Sequence, residues 1–198
     1  MYNKLPINFY QNNDVVQVAR SLLGKQVWTN FNNKLCSGNI VEVEAYCGAT
    51  DMACHAYPNK ITPRTEIMYH AGGVAYVYLV YGMHHLFNIV TNTEGNADAV
   101  LIRAIEPIVG VETLQQRRYL NQENRLLCGG PARMTQALGI TVANNEEDLL
   151  GDQIWLTGGK DYSDNEIIAT ARIGVEYAGE DAFLPWRFHI KGNKYVSK

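Results

Sequence analysis

Two stretches of the chain place side chains that could do chemistry at spacings that would bring them together. In "NIVEVEAY", residues 39–46, strand alternation sets Ile40, Glu42, Glu44 and Tyr46 on one side and Val41, Val43 and Ala45 on the other. Two carboxylates and a phenol then share a face. A carboxylate partly desolvated beside aromatic rings keeps a proton more readily and can act as a general base. A polar strand edge facing water is the other reading of the same residues. In "VAYVYLVYG", residues 74–82, alternation puts Tyr76, Tyr78 and Val80 on one face and Val77, Leu79 and Tyr81 on the other. A buried hydroxyl without a partner costs about 1–3 kcal/mol, so three tyrosines in a buried strand ask for a reason. Rings that stack on a planar base supply one; core tyrosines with bonded hydroxyls are the alternative, and Tyr76 reads as a core residue. Tyr81 precedes Gly82, so it falls at the strand's end, where a ring can protrude.

Other constellations are weaker. His55, His84 and His85 come without the H-x-x-x-H, C-x-x-C or H-x-E spacing of a metal site. Gly72-Gly73 and Gly129-Gly130 lack the pattern of a phosphate-cradling loop and read as turns. The cysteines at 36, 47, 54 and 128 form no C-x-x-C pair and suit reduced thiols.

These residues need a scaffold. The chain has 198 residues, 46% of them hydrophobic and 19% charged, which fits one domain over residues 1–198. Asp14 caps "VVQVARSLLG", whose apolar residues recur at helical spacing up to Gly24. "GVETLQQRRYL" (110–120) and "PARMTQALG" (131–139) read as helices, the latter opening on Pro131 and closing on Gly139. Strands are expected over "KQVWTN", "GNIVEVEAY", "VAYVYLVY", "HLFNIVTN", "AVLIRAIEP" and "QIWLTG". Short connections between successive strands favour an α+β fold, with a central, mostly antiparallel sheet flanked by helices. No apolar run approaches the roughly 18–20 residues that span a bilayer, and residues 1–11 do not resemble a signal peptide, so a cytoplasmic location is expected.

The formal charge of −3 argues against a nucleic-acid partner only if it is spread evenly. It is not: residues 146–166 hold seven acids against Lys160 alone, leaving 13 acids and 16 bases elsewhere. Arg117, Arg118, Arg125 and Arg133, and the basic residues after Asp181, are candidates for phosphate contact.

Six ordered blocks, "VEVEAYCGATDMACHAY", "TPRTEIMY", "YVYLVYGMHHLFNIVT", "AVLIRAIEP", "GGPARMTQALGI" and "RIGVEYAGE…PWRFHI", resemble the alkyladenine (3-methyladenine, or methylpurine) DNA glycosylases from about Gly24 onward. The resemblance implies a compact domain that removes alkylated or deaminated purines from damaged double-stranded DNA, with no cofactor and no metal. It implies Glu44 as the catalytic residue that activates water, with Arg103 and Asn88 as neighbours of the water and the pocket. Tyr46, His55 and Tyr78 match the pocket for a flipped base, and Tyr81 matches the residue that fills the gap in the duplex. The glycosylase would be monofunctional, because no lysine stands at Glu44, and monomeric. Asp181 departs from the family pattern, where an aromatic residue is common. A noncatalytic nucleic-acid-binding module and a nucleosidase acting on free nucleosides are the competing readings.

Overall fold

In a computed structural model, which describes residues 3–197, a short helical turn (α1, Ile7–Tyr10) leads to Asp14, whose carboxylate accepts from the Gln17 N–H and caps α2 (Val15–Leu22). α2 buries Val15, Val18, Ala19 and Leu22, the 3-4 spacing of a core-facing stripe. Gly24 follows at φ +83°, and a Cβ there would lie 2.0 Å from the Lys160 carbonyl oxygen, so only glycine fits this stop.

Strands β1 (Gln26–Phe31) and β2 (Lys34–Cys47) form a hairpin through Asn32 and Asn33, both at positive φ as a two-residue connection requires. β3 (Ala75–Val80), β4 (His84–Thr91) and β5 (Asp98–Val109) follow, then β6 (Ile154–Thr157), β7 (Ile167–Thr170) and β8 (Arg187–Ile190). All pair antiparallel, in the order β3-β4-β5-β2-β1-β6, with β8 between β2 and β7. The expected α+β architecture is therefore present. Helices α3 (Val111–Arg118), α4 (Arg125–Cys128) and α5 (Pro131–Leu138) lie between β5 and β6. α3 stops at Arg118 rather than Leu120, because Tyr119 turns left-handed at φ 53° and caps it.

Alternation across β2–β5 divides the sheet by face. Val41, Val43, Ala45, Ala75, Val77, Phe87, Ile89, Val100 and Ile102 join the main core with residues of α2, α3 and α5. Tyr76, Val90 and Ala99 face the other way, into a second cluster under residues 54–68. The register shifts three times where β2 meets β5, two of the shifts flanking Glu42: Ile40 pairs with Ile105, Glu42 with Ala104 and Val43 with Ile102. Val41 and Arg103 are thus extra residues in a bulged stretch, which re-aims side chains.

The segment after β7 is anchored by Arg172, which pairs with Asp51, both side chains being fully buried. Arg172 also donates to the Ala45 and Asp181 carbonyls at 2.9 and 3.1 Å. Asp181 accepts from the Met52 N–H and ties the same segment to the loop after β2. Arg172→Leu should lower the unfolding free energy by about 3–5 kcal/mol in urea titrations, because it strands the Asp51 carboxylate. A loss below about 1 kcal/mol would show that the pair holds nothing together.

Candidate active site

The second face of the sheet forms the floor of a cavity of about 580 Å³. β2 contributes Glu44 and Tyr46, β3 Tyr76 and Tyr78, β4 Leu86 and Asn88, and β5 Ala99, Leu101 and Arg103. Loops supply His55, Arg64 and Met68 from one side and Ile173, Gly174, Val175 and Tyr177 from the other.

At the floor, Glu42 and Glu44 are both 0% exposed, so neither belongs to a polar edge facing water. A buried charge survives only when paired and hydrogen-bonded. Arg103, on the bulge between them, donates from Nε to Glu42 at 2.9 Å and places Nη1 3.1 Å from Glu44. Glu44 accepts further bonds from the Tyr46 hydroxyl and the Ile173 N–H, each at 2.8 Å. Glu42 is also held by Arg187 Nε at 2.7 Å and by the Ser197 N–H and hydroxyl at 2.6 and 2.7 Å. Burial pushes the Glu42 carboxyl up, but the Arg103 charge and the Ser197 and Arg187 donors outweigh it and hold it below the usual carboxylate range. Burial also works against the Arg103 charge; Glu44 and Glu42 reverse that and raise its basicity. Tyr46 is driven well above the ordinary phenol range by burial and then by Glu44, so it stays a donor to that carboxylate.

The walls are aromatic. His55 Nδ1 lies 2.9 Å from the Tyr76 hydroxyl, and the His55 ring meets Tyr78 edge-on at 4.8 Å. Tyr76 and Tyr78 lie 5.1 Å apart with 33° between their planes. Burial, helped by the Arg64 charge, lowers the His55 pKa to about 4, which leaves a neutral imidazole at physiological pH. Asn88 is buried, its Nδ2 donating to the Tyr76 carbonyl at 3.1 Å.

Tyr81 stands on the rim, 88% exposed, with φ at 53°; Gly82 follows at φ 69° and Met83 is also exposed. Tyr119, 90% exposed at the same φ, only caps α3, so it is the place on the cavity rim that sets Tyr81 apart. Pro131 and Ala132 at the start of α5 also line the cavity. Among the described residues, no carboxylate pairs with Arg118, Arg125 or Arg133 on the nearby helices. Two other basic candidates are committed inside the fold: Arg117 donates to the Ala137 and Leu138 carbonyls at the end of α5, and Arg187 binds Glu42. The acid-rich stretch is partly balanced, with Asp152, Asp161, Asp164 and Glu166 paired to Lys4, Lys25, Arg20 and Lys160.

All seven sequence-derived candidates, Glu44, Tyr46, His55, Tyr78, Tyr81, Asn88 and Arg103, line this one cavity. Tyr76 is buried as expected of a core residue, yet it faces the cavity and bonds His55. Its place on the Tyr78 face of β3 was the available signal. Arg64, Ile173 and Tyr177 carried no signal, since loops bring them in. Chemically, the site offers a buried carboxylate, held by two hydrogen-bond donors and the Arg103 charge, beside a cluster of aromatic rings.

A family model described as methylpurine-DNA glycosylase (MPG) matches residues 8–194. Three similar relatives carry the name "Putative 3-methyladenine DNA glycosylase". The one from Carboxydothermus hydrogenoformans is 47% identical over 195 residues, covering 98% of each chain. Those from Alkaliphilus oremlandii and Chlamydia felis are each 44% identical, covering 98% and 97% of this chain and 99% and 100% of their own. Matched over nearly its whole length by the family model and by these relatives, the chain belongs to the methylpurine-DNA glycosylase family.

Proposed function

We propose that this protein is a monofunctional DNA glycosylase that takes an alkylated or deaminated purine out of duplex DNA and hydrolyses its N-glycosidic bond with a water activated by Glu44. The carrying observation is Glu44 itself, a fully buried carboxylate held by two hydrogen-bond donors and the Arg103 charge at the floor of an aromatic cavity. Breaking the bond between the sugar and the base develops oxocarbenium-like positive charge on the sugar. A carboxylate beside it stabilises that charge and takes the proton of the attacking water. Arg103 holds Glu44 and borders the water's position. Tyr46, His55, Tyr78 and Asn88 form the base pocket, where ring faces also attract the positive charge of a methylated purine. Among the described residues lining the cavity there is no lysine to form an imine, which supports hydrolysis to an abasic site.

Tyr81 favours a duplex substrate over a free nucleoside. Its exposed ring, beside the cavity at the end of β3, suits the wedge that fills a vacated position in the helix. Arg118, Arg125 and Arg133, with no acidic partner among the described residues, suit the phosphates.

Glu44→Gln should lower single-turnover excision by about 10²–10⁴-fold while damaged-duplex affinity stays within a few-fold, because the amide keeps the shape but takes no proton. Equal loss of binding would make Glu44 structural. Tyr81→Ser should slow excision of hypoxanthine most when the lesion is stably paired and least in single strand, where unstacking, worth a few kcal/mol, is already complete. Equal losses in paired, mispaired and single-stranded contexts would remove the wedge role. The third expectation concerns His55, which takes up its proton near pH 4 when folded and near 6.5 when unfolded. The unfolded state therefore binds more protons in that window, and stability falls as pH drops through it. Between pH 7 and 5 the loss should be about 2 kcal/mol in urea titrations and largely absent in His55→Gln.

A further inference from the structure

Two arginines line the cavity, and only one is balanced. Arg103 lies between Glu42 and Glu44, whereas no carboxylate pairs with Arg64 among the described residues. The Arg64 backbone is fixed by its neighbours: Thr62 and Thr65 exchange backbone-to-hydroxyl bonds at 2.9 and 3.2 Å, and the Thr65 hydroxyl donates to the Lys60 carbonyl at 2.8 Å. Its side chain, exposed to the cavity mouth, turns inward. The guanidinium carbon lies 4.7 Å from the Tyr78 ring centre, and Nη2 is 3.3 Å from His55 Nε2. A planar cation thus stacks on one ring of the pocket and donates to another. A methylated purine, also planar and cationic, would ask for the same partners.

We propose that Arg64 is a specificity-determining residue: it occupies the base's seat in the free protein and, pushed to the base's edge by an entering purine, favours neutral lesions over cationic ones. The proposal rests on the glycosylase reading of the site. Its physical basis is where the electrons go. When the bond between the sugar and a neutral purine breaks, the bonding pair stays on the ring nitrogen and the base becomes negative. A guanidinium at its edge stabilises that charge. A purine methylated on a ring nitrogen arrives positive and leaves neutral, so the same cation opposes its entry and gains nothing from its departure. Displacing Arg64 from Tyr78 costs the same for both classes; the charge effect does not. The anchored backbone keeps the displaced side chain within reach of the pocket, where an added unit charge at several ångströms is worth about tenfold in a rate.

The test is single-turnover excision of hypoxanthine and of 7-methylguanine from otherwise identical duplexes by the wild type, Arg64→Gln and Arg64→Lys. Arg64→Gln should raise the ratio of 7-methylguanine to hypoxanthine excision by about tenfold, and Arg64→Lys, which keeps the charge, should stay within about threefold of the wild type. An unchanged ratio in Arg64→Gln, with excision merely slowed on both lesions, would overturn the proposal and assign Arg64 to DNA contact alone. A ratio shifted equally by both variants would also overturn it, since shape rather than charge would then decide. If the wild type excised neither lesion, the glycosylase reading itself would fall, and this proposal with it.

Discussion

Three carboxylates, Glu42, Glu44 and Asp51, are fully buried in this fold, and three guanidinium groups, from Arg103, Arg187 and Arg172, are spent on holding them there. Desolvating any one of these charges alone would cost several kcal/mol, so the surrounding backbone has to deliver partners at hydrogen-bond distance. Arg103 reaches both glutamates only because the register of β2 and β5 shifts beside it. Arg187 reaches Glu42 because β8 takes over from β1 as the neighbour of β2 at that level. Ser197, far from β2 in sequence, closes the last acceptor sites. The distortions of the sheet and the path of the C-terminal segment are thus explained by one electrostatic requirement.

The same requirement separates rigidity from reactivity. Glu42 accepts four bonds, from Arg103, Arg187 and the Ser197 N–H and hydroxyl, and is not among the residues that line the cavity. Glu44 accepts two, from Tyr46 and Ile173, is paired with the Arg103 guanidinium, and faces the cavity. One carboxylate fixes the arginine; the other is presented by it. Preorganisation of this kind places a charge where the reaction will need it without reorganisation at the moment of bond cleavage.

Much of this was legible in the sequence, and the limits have physical causes. Period-2 alternation in "NIVEVEAY" and "VAYVYLVY" put Glu44 with Tyr46 and Tyr76 with Tyr78 on common faces, and the sheet keeps those faces. Alternation could not say whether the polar face met water, because that depends on the loops after β2 and β7 that cover it. Nor could it show the shifted register, which is a property of two strands and not of one. β7 and β8, each four residues long with mixed burial, carry too little periodicity to be read. Arg187 looked like a surface cation because its partner lies 145 positions away. Arg64 gave no signal at all, since a charged residue in a turn is ordinary until the turn is seen to lean over a ring.

Charge tells the same story at the surface. A net charge of −3 describes the whole chain but no part of it. Four of the seven acids between 146 and 166 have basic partners, three of them outside that stretch, while Arg118, Arg125 and Arg133, on α3, α4 and the α5 whose start lines the cavity, have no acidic ones among the described residues. Exposed pairs of this sort add little to stability. Their consequence is for the field, because cancelling charge in one region leaves the cations of another as the local sign that a polyanion meets. An acidic protein can therefore present a basic approach to its cavity, and it is the pairing pattern rather than the composition that decides which partner the surface suits.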